Sequence, residues 1–263
     1  MPELLDDLSM YKLLVYTAQL ISQSRYARYF ALKGGLVLTI RLFEAGRDDL
    51  FCRTVDIDVH CSSKDAWNAF CASCEQLLNA NSDGIRYRLV KRRADIKGLD
   101  TSDSLTFEVT LPTGQVVPLK MDMNIKDSGI VELSFDCRLQ MQTYSDLTSL
   151  SDKLVVVSSQ KIYRRIKDLY DICVLISLSN FRMSEIRRML LKKHNMKVSD
   201  LTFMLTPENM PALVHAYSCF SGIHNKPDFS TLISMANSFL IPIYQEAKTA
   251  ELWRCDRCAW VRE

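Results

Sequence analysis

The chain has 263 residues and a mass of 30.2 kDa, 48% hydrophobic and 24% charged at a mean hydropathy of −0.04, which excludes a mini-protein, a disordered chain and a membrane protein. Its formal net charge of +2 conceals an asymmetry, with 17 Lys/Arg against 20 Asp/Glu in residues 1–150 and 16 against 11 in residues 151–263. Residues 153–197 alone hold 11 bases and 3 acids, which fits either a solvated helix face or a surface for a polyanion such as RNA.

The N-terminal MPELLDDLS carries acids and no base ahead of the first apolar stretch, the reverse of a secretory leader, and no run of about 18 apolar residues follows. A cytoplasmic location without membrane contact is expected. Residues 8–29 repeat apolar side chains at three and four spacing and predict an amphipathic helix. The short segment FAL runs into Lys33-Gly34-Gly35, after which LVLTIRLFEAG resumes helical spacing up to a C-cap at Gly46. Residues 53–61, RTVDIDVHC, alternate polar and apolar and read as a strand, and KDAWNAFCASCEQLLN reads as a helix. IRYRLVKRRADI, SLTFEVTL and VVPLKMDMNI are three strand-like runs, with Pro112-Thr113-Gly114 marking a hairpin between the last two, so a mixed, partly antiparallel sheet is expected. From Thr148 the pattern turns helical: SLSDKLVVVSSQKIYRRIKDLYDICVLISL, MSEIRRMLLKKHN, TPENMPALVHAYSCF and FSTLISMANSFLIPIYQEA. The expected division lies near residue 147, between an α/β domain of residues 1–147 and a helical domain of residues 148–263. Nine cysteines is an odd number for a disulfide framework and reads as reduced thiols; a zinc site shared by Cys71/Cys74 and Cys255/Cys258 would need the tail to fold back onto an early helix.

Asp56 and Asp58 stand two apart on the predicted strand, so both carboxylates project from one face with Cα atoms about 6.5–7 Å apart. That spacing suits a shared divalent metal of the kind phosphoryl and nucleotidyl transfer use. Thr54 is placed on the same face one step earlier, and His60 is placed on the opposite face; His60, His194, His215 and His224 are all read as structural. Gly34-Gly35, between a strand and a helix, can present backbone N–H groups to a phosphate or can be a bare turn. Asp122 sits among apolar residues in a strand that reads as buried, where either a metal or a salt bridge would compensate it.

The ordered segments ALKGGLVLTIRLFEAG, RTVDIDV, LSDKLVVV and RRIKDLYDI closely resemble the AbiEii/AbiGii family of nucleotidyltransferase toxins, to which the MenT toxins are related. The resemblance covers residues 31–175 and implies the nucleotidyltransferase fold: a mixed α/β (α+β) catalytic domain followed by a C-terminal helical domain that completes the active site. It implies Thr54 as the hydroxyl before the metal-binding pair Asp56 and Asp58, Asp122 as the third carboxylate, and Lys153 as the helical lysine on the nucleotide phosphates. Asp168 is the best match for the acid completing the site, with Asp171 the second choice. Lys33, Gly34, Gly35 and Lys153 would then meet the triphosphate and Mg²⁺ would lie between it and the carboxylates. The implied activity is transfer of a nucleotide from an NTP to an acceptor, such as a tRNA 3′ end, by the toxin of a toxin–antitoxin or phage-defence pair with a cognate antitoxin.

Helical spacing further puts Arg164 and Asp168 at i and i+4, for a pairing that either holds the carboxylate ionised or is purely structural. Arg187, Arg188, Lys192 and Lys193 gather on part of one helix as a candidate RNA surface, with Ile186, Met189 and Leu190 on its buried side. Two rival readings stay open: a nucleotidyltransferase that modifies a protein or small molecule, and a catalytically silent nucleic-acid or partner-binding module.

Overall fold

The computed structural model describes residues 5–94, 102–124, 132–159, 161–246 and 251–262. The chain divides into two compact units interleaved in sequence: Met1–Ile40, Arg53–Asp127 and Leu133–Tyr144 form the first, and Arg41–Cys52, Ser128–Glu132 and Ser145–Glu263 the second. The last residues expected in the strands over 85–96 and 116–125, and in the helix ending at 247, lie outside the described residues.

In the first unit, helix α1 (Asp7–Ser22) is capped by the Asp6 carboxylate, which accepts from the Ser9 backbone N–H at 2.8 Å. It is shorter than its apolar periodicity predicts. The Ser24 hydroxyl accepts from the Tyr26 N–H at 3.2 Å, and residues 27–29 tighten into a 3-10 turn that delivers the chain to β1 (Phe30–Lys33). There follow α2 (Gly34–Glu44), β2 (Asp56–Cys61), α3 (Lys64–Ala80), β3 (Arg86–Ala94), β4 (Ser102–Thr110), β5 (Val116–Asn124), β6 (Leu133–Asp136) and β7 (Met141–Tyr144).

These strands form one sheet in the order β3-β4-β5-β2-β1-β7-β6. The sheet is mixed as expected: β5/β2 and β1/β7 are parallel and the other neighbours antiparallel, with β4 and β5 joined by the predicted hairpin. Helices α1 and α3 pack on one face, where Leu14, Phe30, Ile57, Val59, Phe70 and Phe107 are buried. Phe70 meets Phe30 edge-on at 5.2 Å between centroids. Cys71 and Cys74 belong to this apolar layer, and burial pushes the Cys71 thiol up to about 12 and that of Cys74 in the same direction, so these thiols serve as core.

The second unit contains α4 (Asp146–Val157), α5 (Ile166–Leu178), β8 (Phe181–Arg182), α6 (Met183–His194), α7 (Met210–Cys219), α8 (Phe229–Tyr244), β9 (Leu252–Arg254) and β10 (Ala259–Val261). The long helical run expected over 149–178 is broken. The β-branched residues Val155–Val157 close α4, the Ser158 hydroxyl bonds back to the Leu154 carbonyl at 2.8 Å, and residues 162–165 form a 3-10 turn. Helix α5 is buried nearly all round and packs against α4, α7 and α8. The unit is not purely helical, since β10, β9 and β8 form a small antiparallel sheet. Trp253 anchors it, its indole N–H donating to the Ile176 carbonyl at 2.7 Å and its ring meeting Phe239 at 5.0 Å. Strands of two or three residues are too short to show alternation, which hid them in the sequence.

Strand β3 is an edge of the large sheet, and α3 covers it. The Asn79 side chain accepts from the Tyr87 N–H and donates to the Tyr87 carbonyl, each at 2.8 Å, while Glu75 accepts from the Leu89 N–H at 2.9 Å. Such capping blocks edge-to-edge pairing. Asn79→Ala leaves two edge groups without partners, and we expect a loss of about 1–3 kcal/mol in urea unfolding with faster amide exchange at Tyr87.

Candidate active site

Strand β2 buries Ile57, Val59 and Cys61 and turns Asp56, Asp58 and His60 to the other face. His60 therefore shares the carboxylate face, contrary to the expectation, because residues two apart on a strand point the same way; its ring lies 5.8 Å from that of Tyr144. Thr54 precedes the strand and is 3% exposed, so strand alternation does not carry it onto that face.

Register assembles the rest. Lys33 on β1 stands opposite Asp58, and Asp58 stands opposite Asp122 on β5, with Asp56 opposite Lys120 in the next row. Directly opposed residues on neighbouring strands share a face, so Lys33, Asp58 and Asp122 form one transverse row with strands about 4.8 Å apart. Asp122 does not lie in a fully buried strand. Strand β5 buries Val117, Leu119, Met121 and Met123 and turns 118, 120, 122 and 124 outward, and the Lys120 Nζ meets Asp122 Oδ2 at 2.5 Å.

Gly34 starts α2 with φ +72°, and a Cβ there would come within 2.1 Å of Asp58 Oδ2. Glycine is required on both counts: the left-handed backbone and the close approach of the carboxylate to the start of the helix. Gly35 has no positive φ and continues the helix. Among the described residues, no three His, Cys, Asp or Glu side chains are gathered closely enough to hold a metal by themselves. Asp56 and Asp58 nonetheless fit Mg²⁺, which is commonly held by one or two carboxylates with substrate phosphates and water supplying the other oxygens.

A second group lies in the helical unit. Lys153 on α4 is buried, its Nζ donating to Asp171 Oδ2 at 2.7 Å and to Asp168 Oδ1 at 3.2 Å. Lys167 reaches Asp171 at 3.3 Å, and Arg165 reaches Asp168 at 2.9 Å. The expected Arg164–Asp168 pair is replaced by Arg165, because residues 162–165 wind as a 3-10 turn and Arg164 instead lies over the Tyr163 ring at 5.8 Å. Burial pushes the Asp171 carboxyl up, but Lys153 and Lys167 outweigh it and hold it below the usual carboxylate range. Burial likewise pushes Lys153 down, and Asp171 with Asp168 outweighs that and holds it above the ordinary lysine value. The partly exposed cations of the group are Arg165 and Lys167, 48% and 35% exposed. Asp171, the second choice from sequence, is its buried hub, and the 167/171 spacing was the available signal.

The basic cluster on α6 is less free than its sequence suggests. Arg187 lies 3.8 Å from Glu246, Arg188 2.8 Å from Glu132, and Lys193 2.6 Å from Asp152 with its side chain only 8% exposed. Met183, Ile186, Met189 and Leu190 form the buried side.

Two outcomes follow from this geometry. Gly34→Ala should cost at least ~1 kcal/mol and displace Asp58, read as a lowered melting temperature together with loss of nucleotide transfer. Asp171→Asn leaves the buried Lys153 ammonium and the partly exposed Lys167 short of a counter-charge, and we expect a loss of about 3–5 kcal/mol at neutral pH. Because the Asp171 pKa is depressed by folding, its stabilisation is present above pH ~4 and is lost as pH falls through its folded value. Urea midpoints of the variant should accordingly fall less steeply than wild type below pH ~4.

Residues 17–218 match the family described as Nucleotidyl transferase AbiEii toxin, Type IV TA system. No curated protein matches by sequence. Among solved structures, JHP933 from Helicobacter pylori is similar at TM-score 0.57 and 15% identity, over 93% of this chain and 94% of that one. An antigenic nucleotidyltransferase-like protein from Paracoccidioides brasiliensis matches at TM-score 0.41 and 15% identity over 86% of this chain and 92% of that one. The Megavirus polyadenylate synthase matches at TM-score 0.35 and 14% identity over 81% and 43%. With the family match spanning most of its length, the chain belongs to the AbiEii nucleotidyltransferase toxin family and is a nucleotidyltransferase enzyme.

Proposed function

We propose that the enzyme transfers a nucleoside monophosphate from an NTP to a hydroxyl of an RNA, of which a tRNA 3′ end is the leading case, in the cytoplasm and as part of a toxin–antitoxin or phage-defence pair. The observation that carries this reading is the row Lys33–Asp58–Asp122, with Asp58 held against Gly34. The type IV toxin–antitoxin description of the family implies an antitoxin partner. No helix among the described residues is long and apolar enough to cross a membrane.

In this reading the sheet-bearing unit is the catalytic domain expected over residues 1–147, apart from Arg41–Cys52, which groups with the other unit, and the helical unit serves the same reaction. Asp56 and Asp58 would hold Mg²⁺, which supplies charge neutralisation at the triphosphate. Lys33 meets a phosphate oxygen, and the backbone N–H groups at Gly34 and Gly35 favour the same anion at the start of α2. The acceptor oxygen bonds to the α-phosphorus as the bond to pyrophosphate breaks, and Asp56 or Asp122 takes the acceptor's proton. Thr54, buried beside the strand, positions the segment that carries the carboxylates. Lys153 is charge-compensated by Asp168 and Asp171, which supports a role in orienting Asp168, while Arg165 and Lys167 are the cations of that group open to an anion.

Incubation of the protein with each labelled NTP, Mg²⁺ and cell lysate tests the reading. Label is expected on RNA, and Asp58→Asn should lower its transfer at least ~100-fold while melting within a few degrees of wild type. Label confined to protein or small molecules would replace the acceptor, and no label with any NTP would favour the silent binding module.

A further inference from the structure

Strand β3 carries Arg86, Arg88, Lys91, Arg92 and Arg93 and no acid between residues 86 and 94. Simple alternation would put Arg86, Arg88 and Arg92 on one face and Lys91 and Arg93 on the other. The register shows a different arrangement. It shifts between Leu89 and Lys91, so Val90 is an extra, unpaired residue and the parity of everything after it is reversed. Arg86 and Arg88 stand opposite Thr110 and Glu108, while Lys91 and Arg93 stand opposite Thr106 and Ser104, all on the face that carries Asp58 and Asp122.

The same shift sends Arg92 to the helix side. There it bonds Asp103 at 2.8 Å and Asn68 at 2.8 Å, and Asp103 in turn accepts from the Trp67 indole at 2.9 Å. One arginine is thus spent on the core and four bases line the open face. Arg86, Arg88, Lys91 and Arg93 are all exposed, and among the described residues Glu108, bonded to Arg88, is the acid seen with this row.

Two transverse rows connect these bases to the carboxylates. Lys91 is in register with Thr106, Lys120 and Asp56, and Arg93 with Ser104, Asp122 and Asp58. Three strand spacings of ~4.8 Å put the basic edge about 14 Å from the carboxylates, a distance that a few nucleotides of extended backbone cover. Ser104 and Thr106 offer hydroxyls along the way, which are ordinary phosphate partners.

We propose that the open face of β3 and β4 is the track for the backbone of the acceptor RNA, with Arg86, Lys91 and Arg93 contacting phosphates of the nucleotides that precede its 3′ end. The track rests on the proposed RNA acceptor, and it replaces the α6 cluster, whose bases are mostly ion-paired, as the surface that binds it. Charge complementarity selects the occupant, since a row of bases with one intervening acid suits a polyanion.

The test compares full-length wild type with Lys91→Gln/Arg93→Gln, titrated with a single-stranded RNA bearing a free 3′ hydroxyl over a series of KCl concentrations. The double variant should bind roughly tenfold or more weakly at low salt, and its log–log salt slope should be shallower by about 1.4, or ~0.7 for each lost phosphate contact. Lys91→Arg/Arg93→Lys should retain the wild-type slope, and the melting shift with NTP and Mg²⁺ should match wild type in both variants. Equal RNA binding by wild type and the Gln variant at every salt concentration would overturn the track, as would absence of RNA binding by wild type. Displacement of RNA by poly-glutamate at equal charge would assign the row to an acidic protein segment and also overturn it. Wild type that binds RNA through this row but leaves no label on it would overturn the proposed acceptor chemistry and uphold the track.

Discussion

Asp58 lies so close to Gly34 that a methyl group could not stand between them, and much of the sheet-bearing unit is arranged around that approach. It ties the middle of β2 to the point where β1 ends and α2 begins. The antiparallel pairing of β1 with β2 fixes Lys33 beside Asp58, and the parallel pairing of β2 with β5 fixes Asp122 on its other side. A slip of one residue in either pairing would turn the carboxylates into the apolar layer beneath α1 and α3, so the buried face enforces the register that the polar face needs.

The two groups of charged residues follow opposite electrostatic logic. On the sheet, carboxylates and lysines alternate along an outward, partly exposed face, and Lys120 pairs with Asp122 there. In the helical unit, Lys153, Asp168 and Asp171 are already neutralised by one another inside a packed helix pair. A closed network of this kind holds its members in one geometry and is costly to break from either side. Arg165 and Lys167 stand at its rim and are partly exposed to solvent.

Much of this was legible in the sequence. Alternation in RTVDIDVHC located β2 and its paired carboxylates, the Gly34-Gly35 step marked the strand-to-helix turn, and the turn at Pro112-Thr113-Gly114 gave the β4–β5 hairpin. Four short segments in order were enough to identify the family, because each is constrained by local chemistry. The errors have physical causes too. Helix α1 stops earlier than its periodicity because serine side chains compete for backbone groups, and the run through 158–165 breaks for a similar reason. Strands β8, β9 and β10 are only two or three residues long and are held by tryptophan packing, which no local pattern encodes.

The sequence by itself determined the residue types, the shared face of Asp56 and Asp58 and the family, since these depend on local spacing and order, while His60 and Thr54 were assigned to the wrong faces. Tertiary structure decided which charges meet. Lys153 is occupied by Asp168 and Asp171, Lys193 by Asp152, and Asp122 by Lys120, none of which composition could assign. It also decided which way β3 faces: one unpaired residue at Val90 reverses side-chain parity, and a bulge is a property of how two strands pair, not of either strand alone.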